Sequence, residues 1–256
     1  MTEFSNKTAV ITGASRGIGA ATARHLAARG TRVVLAARSA AQIERLAAEI
    51  TANGGWARAV PCDAADAAAV AKLIDSAVHE TGRLDLLVNN AGIIDPIARL
   101  ADSNAEDWAR VVDINLKGVY HGLRFALPVM QAQGGGTVVN ISSGAATSAL
   151  EGWSHYCATK AAVLSLTRVA DKEYRDQGIR VIGLSPGTVA TDMQVQIKAS
   201  GINPVSQLDP SVHIPADWVA RAIAWLTTPE ADAWCGADFS LKTPEGRAAV
   251  GLEPAL

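Results

Sequence analysis

Short apolar runs alternate with longer stretches of helical periodicity from the start of the chain. Residues 8–12 (TAVIT) are apolar and β-branched, and a glycine-rich turn leads from them into a helical pattern over 16–29. Further strand-like runs lie at 31–36, 56–62, 84–88, 137–142 and 179–184, with helical stretches at 40–53, 66–81, 105–131 and 154–177. Gly54-Gly55, Gly82 and Gly178 stand where those helices should stop, since glycine enters the left-handed conformation at a helix end without a Cβ penalty. The strand-like runs are apolar nearly throughout, as strands buried on both faces of a parallel sheet require. Alternating strands and helices with short, right-handed connections predict an α/β fold, a doubly wound parallel sheet with helices on both faces. No linker or repeat interrupts the pattern, so one domain is expected over residues 1–256. Residues 187–214 depart from it, being rich in Gly, Pro, Asn and Ser with weak periodicity. A long loop is expected there, of the kind that forms a lid over a ligand from about residue 188 to 214.

Composition narrows the partners. With 23 basic and 25 acidic side chains the formal charge is −2, which argues against nucleic acid or an anionic membrane as the main partner. Cys62, Cys157 and Cys235 form no Cys-x-x-Cys pair, so reduced thiols are expected rather than a disulfide framework or a zinc ribbon. The start, MTEFSNKTAVITG, has neither the basic opening nor the apolar stretch of a leader peptide, and no run reaches the roughly 18 apolar residues of a membrane span. A cytoplasmic protein with no metal site is the expectation.

The turn after the first strand reads TGASRGIG, with Gly13, Gly17 and Gly19 at spacing Gly-x-x-x-Gly-x-Gly. Glycines there permit a tight turn and close backbone approach, and a helix start offers free N–H groups and a positive dipole end to a pyrophosphate. No Gly-Lys-Ser/Thr follows, against a nucleotide hydrolase. A carboxylate at the end of the second strand would accept hydrogen bonds from the ribose of NAD. Here that strand runs into Arg38-Ser39, and Arg16 adds a second guanidinium, a pattern that favours a 2′-phosphate and hence NADP(H) over NAD(H). Tyr156 and Lys160 stand four apart and share a helix face. An ammonium beside a phenol favours the phenolate, so the pair can act as general acid and base. His155 and Cys157 flank Tyr156 but face other directions and are read as packing residues rather than nucleophile or base. His213, in the expected lid, is the one other histidine worth testing.

TGASRGIG, NNAG (residues 89–92), Asn115 in DINLKG, Ser143 in NISSG, the Tyr156/Lys160 pair and Pro186-Gly187 in SPGTVATDM occur in one order. As a set this resembles the short-chain dehydrogenase/reductase family in its compact form, over essentially the whole chain. The resemblance implies a Rossmann-type three-layer fold and hydride transfer between a nicotinamide cofactor and a carbonyl or alcohol. It implies that Ser143, thirteen residues before Tyr156, donates a hydrogen bond to the substrate carbonyl. Ser142 points the other way and is structural. Tyr156 delivers or takes the hydroxyl proton, Lys160 binds the nicotinamide ribose, and Asn115 holds a water. Gly13, Ser15, Arg16, Gly17, Ile18, Gly19 and Arg38 are implied cofactor contacts. So are Asp63, Ala64, Asn90, Ala91, Gly92, Pro186, Gly187, Val189 and Thr191, together with Tyr156 and Lys160.

The family builds its substrate pocket from the stretches after Ser143 and NNAG and from the lid. Here these supply Ile94, Ala145, Leu150, Trp153, Met193, Val195 and Ile197, which suit an apolar ketone or secondary alcohol. The tail, GADFSLKTPEGRAAVGL from Gly236, lacks the final strand followed by Asp-Gly-Gly common in the family, where this region joins subunits. A homotetramer or dimer is expected. The readings that follow are an NADP-dependent carbonyl reductase or alcohol dehydrogenase, a 3-oxoacyl-carrier-protein reductase, and a cofactor-binding regulator without turnover.

Overall fold

In the computed structural model residues 4–252 are described; residues 1–3 and 253–256, the two ends of the expected domain and the first part of the leader reading, lie outside them. Every residue of β1 (Thr8–Thr12) is buried, as a β-branched apolar run at the centre of a sheet must be. It is flanked by β2 (Arg32–Ala37) and β4 (Leu86–Asn89), and all pairings in the sheet are parallel. With β3 (Trp56–Pro61), β5 (Gly136–Ile141), β6 (Ile179–Ser185) and β7 (Asp238–Ser240) the order is β3-β2-β1-β4-β5-β6-β7. The strand order reverses between β1 and β4, and the crevice outside their carboxyl ends is where such sheets bind ligands.

Helices cover both faces. On one side α1 (Gly17–Ala27), α2 (Ala40–Ala52) and α8 (Ala216–Trp225) close a core containing Ile11, Leu35 and Phe239. On the other, α3 (Ala67–Thr81), α5 (Gly118–Ala132) and α6 (Ser154–Tyr174) close a core containing Val10, Leu87 and Val181. The expected α/β, doubly wound, three-layer, single-domain architecture is therefore the observed one. Among the described residues no helix is long and apolar enough to cross a membrane.

Several local expectations change. β3 alternates between exposed and half-buried positions, because it forms one edge of the sheet rather than a strand covered on both faces. The helical stretch at 105–131 is not continuous: α4 (Ala105–Val112) passes through a π-helical turn, Asp113–Lys117, into α5. α6 stops at Tyr174, a 3₁₀ turn fills Arg175–Gln177, and Gly178 follows at φ 76. The weakly periodic 187–214 segment is no bare loop. It carries α7 (Asp192–Ser200) and two 3₁₀ turns, and its ends are pinned where Ala190 N–H donates to Ile214 at 2.9 Å and Ile214 N–H donates to Thr188 at 3.0 Å. The tail does form a final strand, β7, and then α9 (Pro244–Ala249) in place of a glycine pair.

Candidate active site

A cavity of about 980 Å³ runs along the carboxyl ends of the strands, from the glycine turn to the start of α6. At one end the chain leaves β1 through Gly13 (φ +64). The Thr12 hydroxyl donates to the Val88 carbonyl at 3.3 Å and accepts the N–H groups of Asn90 and Ala91 at 3.0 and 3.1 Å. The Asn90 amide donates to the carbonyls of Thr12 and Gly13 at 2.9 and 3.1 Å. The NNAG stretch is thereby sewn to the turn by side chains, not by backbone alone. A Cβ on Gly13 would lie 2.9 Å from the Ala91 Cα, so glycine is required there for space as well as for φ. The N-cap of α1, Arg16, is extended and offers no side-chain bond to the first turn, whose N–H groups remain available to an anion. Gly13, Ser15, Arg16, Gly17 and Ile18 line the cavity. Gly19 is not among the lining residues; a Cβ there would run into the Gly13 carbonyl, so this glycine lets α1 pack against its own turn.

Arg38, just past β2, is exposed in the cavity wall and makes no ion pair among the described residues. Arg16 also lines the wall but pairs with Asp192 of α7 at 3.2 Å. Both partners are largely exposed, and such a pair is worth about 0–1 kcal/mol, little enough to yield to a phosphate. Asp63 and Ala64 line the same end. The Asp63 carboxylate accepts the Ala65 N–H at 3.0 Å, while the cap of α3 is Asp66, which accepts from Ala68 and Ala69. His121 Nδ1 lies 3.0 Å from the Ala64 carbonyl.

At the other end the first turns of α6 present Tyr156 and Lys160 on one face, with Ser143 opposite them just past β5. The Ser143 hydroxyl accepts the Ala145 N–H at 3.1 Å and hydrogen-bonds to Tyr156. Lys160 is buried; its Nζ donates to the Ile141 carbonyl at 2.7 Å and lies 5.5 Å from the centre of the Tyr156 ring. Burial pushes the Tyr156 hydroxyl up to about 12, with the Ser143 bond opposing. This is the reverse of the shift expected from the lysine, since desolvation of the phenolate outweighs an ammonium set over the ring face. Burial also brings Lys160 down to about 8, against the pull of the Asp238 carboxylate.

Asn115 sits in the π-helical turn, fully buried behind the cavity wall. Its amide oxygen accepts the Ile93 N–H and its amide nitrogen donates to the Ile93 carbonyl, both at 2.8 Å. Both ends of the side chain are thus engaged in fixing the wall beside Ile94. Ser142 also lines the cavity, and its hydroxyl donates to Asp238 at 3.1 Å.

Ile94, Ala145, Leu150, Trp153, Met193 and Ile197 all line the cavity and cluster around Tyr156, whose ring meets Trp153 edge-on at 5.6 Å. Val195 does not belong with them. It is 69% exposed, because residues four apart on α7 (Met193 and Ile197) share the inner face and the position between them points outward. His213 does not line the cavity, and His155 is buried beside the Pro96 carbonyl. The remaining expected contacts, Asn90, Ala91, Gly92, Pro186, Gly187, Val189 and Thr191, do line it. Sequence reasoning misses Val205, Asp238 and Lys242; the last two lie on the tail whose departure from the family pattern was the available signal.

The model of the short chain dehydrogenase family matches residues 7–201, and the chain belongs to that family of oxidoreductases, which use nicotinamide cofactors on CH–OH groups. A 3-oxoacyl-acyl-carrier-protein reductase of Synechocystis sp. (strain ATCC 27184 / PCC 6803 / Kazusa) is 39% identical over 236 residues, 91% of this chain and 94% of that protein. A cis-4-hydroxycyclohexanecarboxylate dehydrogenase of Sinomonas cyclohexanicum is 38% identical over 237 residues, 91% of this chain and 94% of that protein. The solved structure of an NAD⁺-bound xylitol dehydrogenase superimposes with a TM-score of 0.87 at 28% identity, covering 94% of this chain and 99% of that one.

Proposed function

We propose that this protein is an NADP(H)-dependent oxidoreductase that interconverts an apolar ketone or aldehyde and the corresponding alcohol. One observation carries the reading. Ser143, Tyr156 and Lys160 converge on one end of a continuous cavity whose wall there is the Ile94–Trp153–Ile197 cluster and whose other end is a glycine-built helix start. The uncapped first turn of α1 and the space above Gly13 and Gly17 fit a pyrophosphate, and Arg38, which makes no ion pair among the described residues, fits a 2′-phosphate.

In reduction Ser143 donates a hydrogen bond to the substrate carbonyl oxygen and Tyr156 gives it a proton; in oxidation Tyr156 takes the proton back. Lys160, held at the Ile141 carbonyl, has further N–H groups for the nicotinamide ribose and keeps a positive charge beside Tyr156. The nicotinamide cofactor supplies or receives the hydride and, when oxidised, adds a second positive charge. Asn115 positions Ile93 and Ile94. The pinned 188–214 segment serves as the lid, and Val189 and Thr191 at its base meet the carboxamide. A cytoplasmic homo-oligomer completes the reading, supported by the family resemblance and the free cysteines.

A panel of cyclic and linear ketones followed by NADPH absorbance tests the assignment. Consumption on apolar ketones is expected, and no consumption on any member would overturn it. Arg38→Ala should raise the KM for NADPH about tenfold while moving that for NADH less than twofold, in line with loss of one guanidinium–phosphate contact. A wild-type preference for NADH would refute the cofactor assignment. The second reading, a 3-oxoacyl-carrier-protein reductase, is favoured by the Synechocystis relative. Turnover of carrier-linked 3-oxoacyl chains with none on free ketones would select it.

A further inference from the structure

We propose that Lys242 forms an anion subsite at the reacting end of the cavity, and that the substrate carries a carboxylate beside its apolar body. The inference rests on reading this cavity as the substrate site.

Lys242 is the second residue after β7, and its backbone is fixed on both sides. Leu241 N–H donates to the Ser185 carbonyl at 3.1 Å, the Arg247 guanidinium donates to the Leu241 carbonyl at 2.7 Å, and Thr243 caps α9 by accepting the Gly246 N–H at 3.0 Å. The lysine N–H itself donates to Ser240 Oγ at 3.2 Å. From this anchored start the aliphatic stem lies over Gly187, where a Cβ would come within 2.9 Å of the lysine Cγ. The ammonium reaches Gly144, where a Cβ would be 3.8 Å from Nζ. Glycine at 187 leaves room for the stem, and the exposed side chain lines the cavity wall. The charge therefore stands next to the Ser143–Gly144 turn, beside the group assigned to the substrate carbonyl.

Three of the other four basic side chains of the cavity wall are placed or engaged elsewhere, and the fourth, Arg110, makes no ion pair among the described residues either. Lys160 is buried at the Ile141 carbonyl, Arg16 pairs with Asp192, Arg38 stands at the end of β2 and Arg110 lies on α4. Lys242 makes no ion pair and no side-chain hydrogen bond among the described residues. The apolar cluster around Tyr156 binds a hydrocarbon body, and a cation at its edge recognises an anionic substituent.

Two ketones of similar size decide the matter, 4-oxocyclohexanecarboxylate and 4-methylcyclohexanone. Wild-type protein should prefer the carboxylate in kcat/KM by about tenfold, the worth of one charge-assisted contact. Lys242→Gln should abolish that ratio, Lys242→Glu should invert it, and Lys242→Arg should restore it. Calorimetric titration of cyclohexanecarboxylate into the protein with NADP⁺ gives a readout that needs no turnover, and Lys242→Gln should weaken this binding about tenfold. If neither ketone is turned over, the reaction assignment fails while the titration still decides the subsite. An unchanged ratio or unchanged carboxylate binding in Lys242→Gln would overturn the proposal. So would a raised KM for NADPH with the ratio unmoved, which would give Lys242 to a cofactor phosphate.

Discussion

Tyr156→Phe is expected to lower kcat about a thousandfold, the scale of a lost general acid or base. The substitution removes one oxygen and leaves the ring, its edge-on contact with Trp153 and the Lys160 anchor at Ile141 in place. Binding of NADPH, followed by its fluorescence, should persist, since the glycine turn, Arg38 and Asn90 lie elsewhere along the cavity. A variant that keeps more than a tenth of the wild-type rate would remove Tyr156 from the chemistry. The protein's own groups hold this hydroxyl at about 12, far above neutrality. Alcohol oxidation, which needs the deprotonated form, should therefore gain rate as pH rises, and carbonyl reduction, which needs the proton, should gain as pH falls. Rates of both directions between pH 6 and 10 check the sign. Lys160→Met should displace the profile for oxidation to higher pH, because the remaining positive charge near the phenol would then be the cofactor's alone.

The architecture was legible because its strands are apolar runs without alternation and its helix ends carry glycine; β1, α3 and Gly82 fall where periodicity puts them. Periodicity is blind to what lies on each side of a strand, so β3 read as buried although it is an edge. A π-helical turn leaves no trace in a hydrophobic pattern, and the Asp113–Lys117 turn that buries Asn115 was invisible for that reason. The apolar pocket residues were legible through their distance from motifs, but Val195 shows the limit: a segment taken as loop has no inner face until it becomes a helix. Gly19 is a similar case, since a motif records that glycine is needed without recording whether a ligand or a carbonyl needs the space. Asp238 could not be found locally, because its partner Ser142 lies 96 residues earlier and only the β5–β6 and β6–β7 pairings bring them together.

Asp238→Asn is expected to stabilise the protein about twice as much at pH 8 as at pH 5, because pH 5 lies midway between the unfolded and folded values of the carboxyl. Asp238 opens β7, accepts the Ser142 hydroxyl at 3.1 Å on one carboxylate oxygen, and has no partner for the other, which is buried. Burial raises the carboxyl from 3.8 to about 6, against the pull of the Ser142 bond and of the Lys160 and Arg168 charges. A raised acid contributes stability that is complete below its unfolded value and is lost as pH rises through its folded value. Above about pH 6 the ionised group therefore costs up to roughly 3 kcal/mol, from about two units at 1.36 kcal/mol each. Asparagine keeps an acceptor for Ser142 but leaves its amide hydrogens to find partners near Gly183, which returns part of the gain. A net stabilisation of about 2 kcal/mol at pH 8 corresponds to a rise of about 4–8 °C in Tm for a chain of this size. Thermal unfolding at pH 5 and pH 8 separates this from a packing effect, which would move Tm equally at both. A lower Tm at pH 8 would show instead that the ionised carboxylate is compensated by Lys160, and that the short strand was held in register by that charge pair.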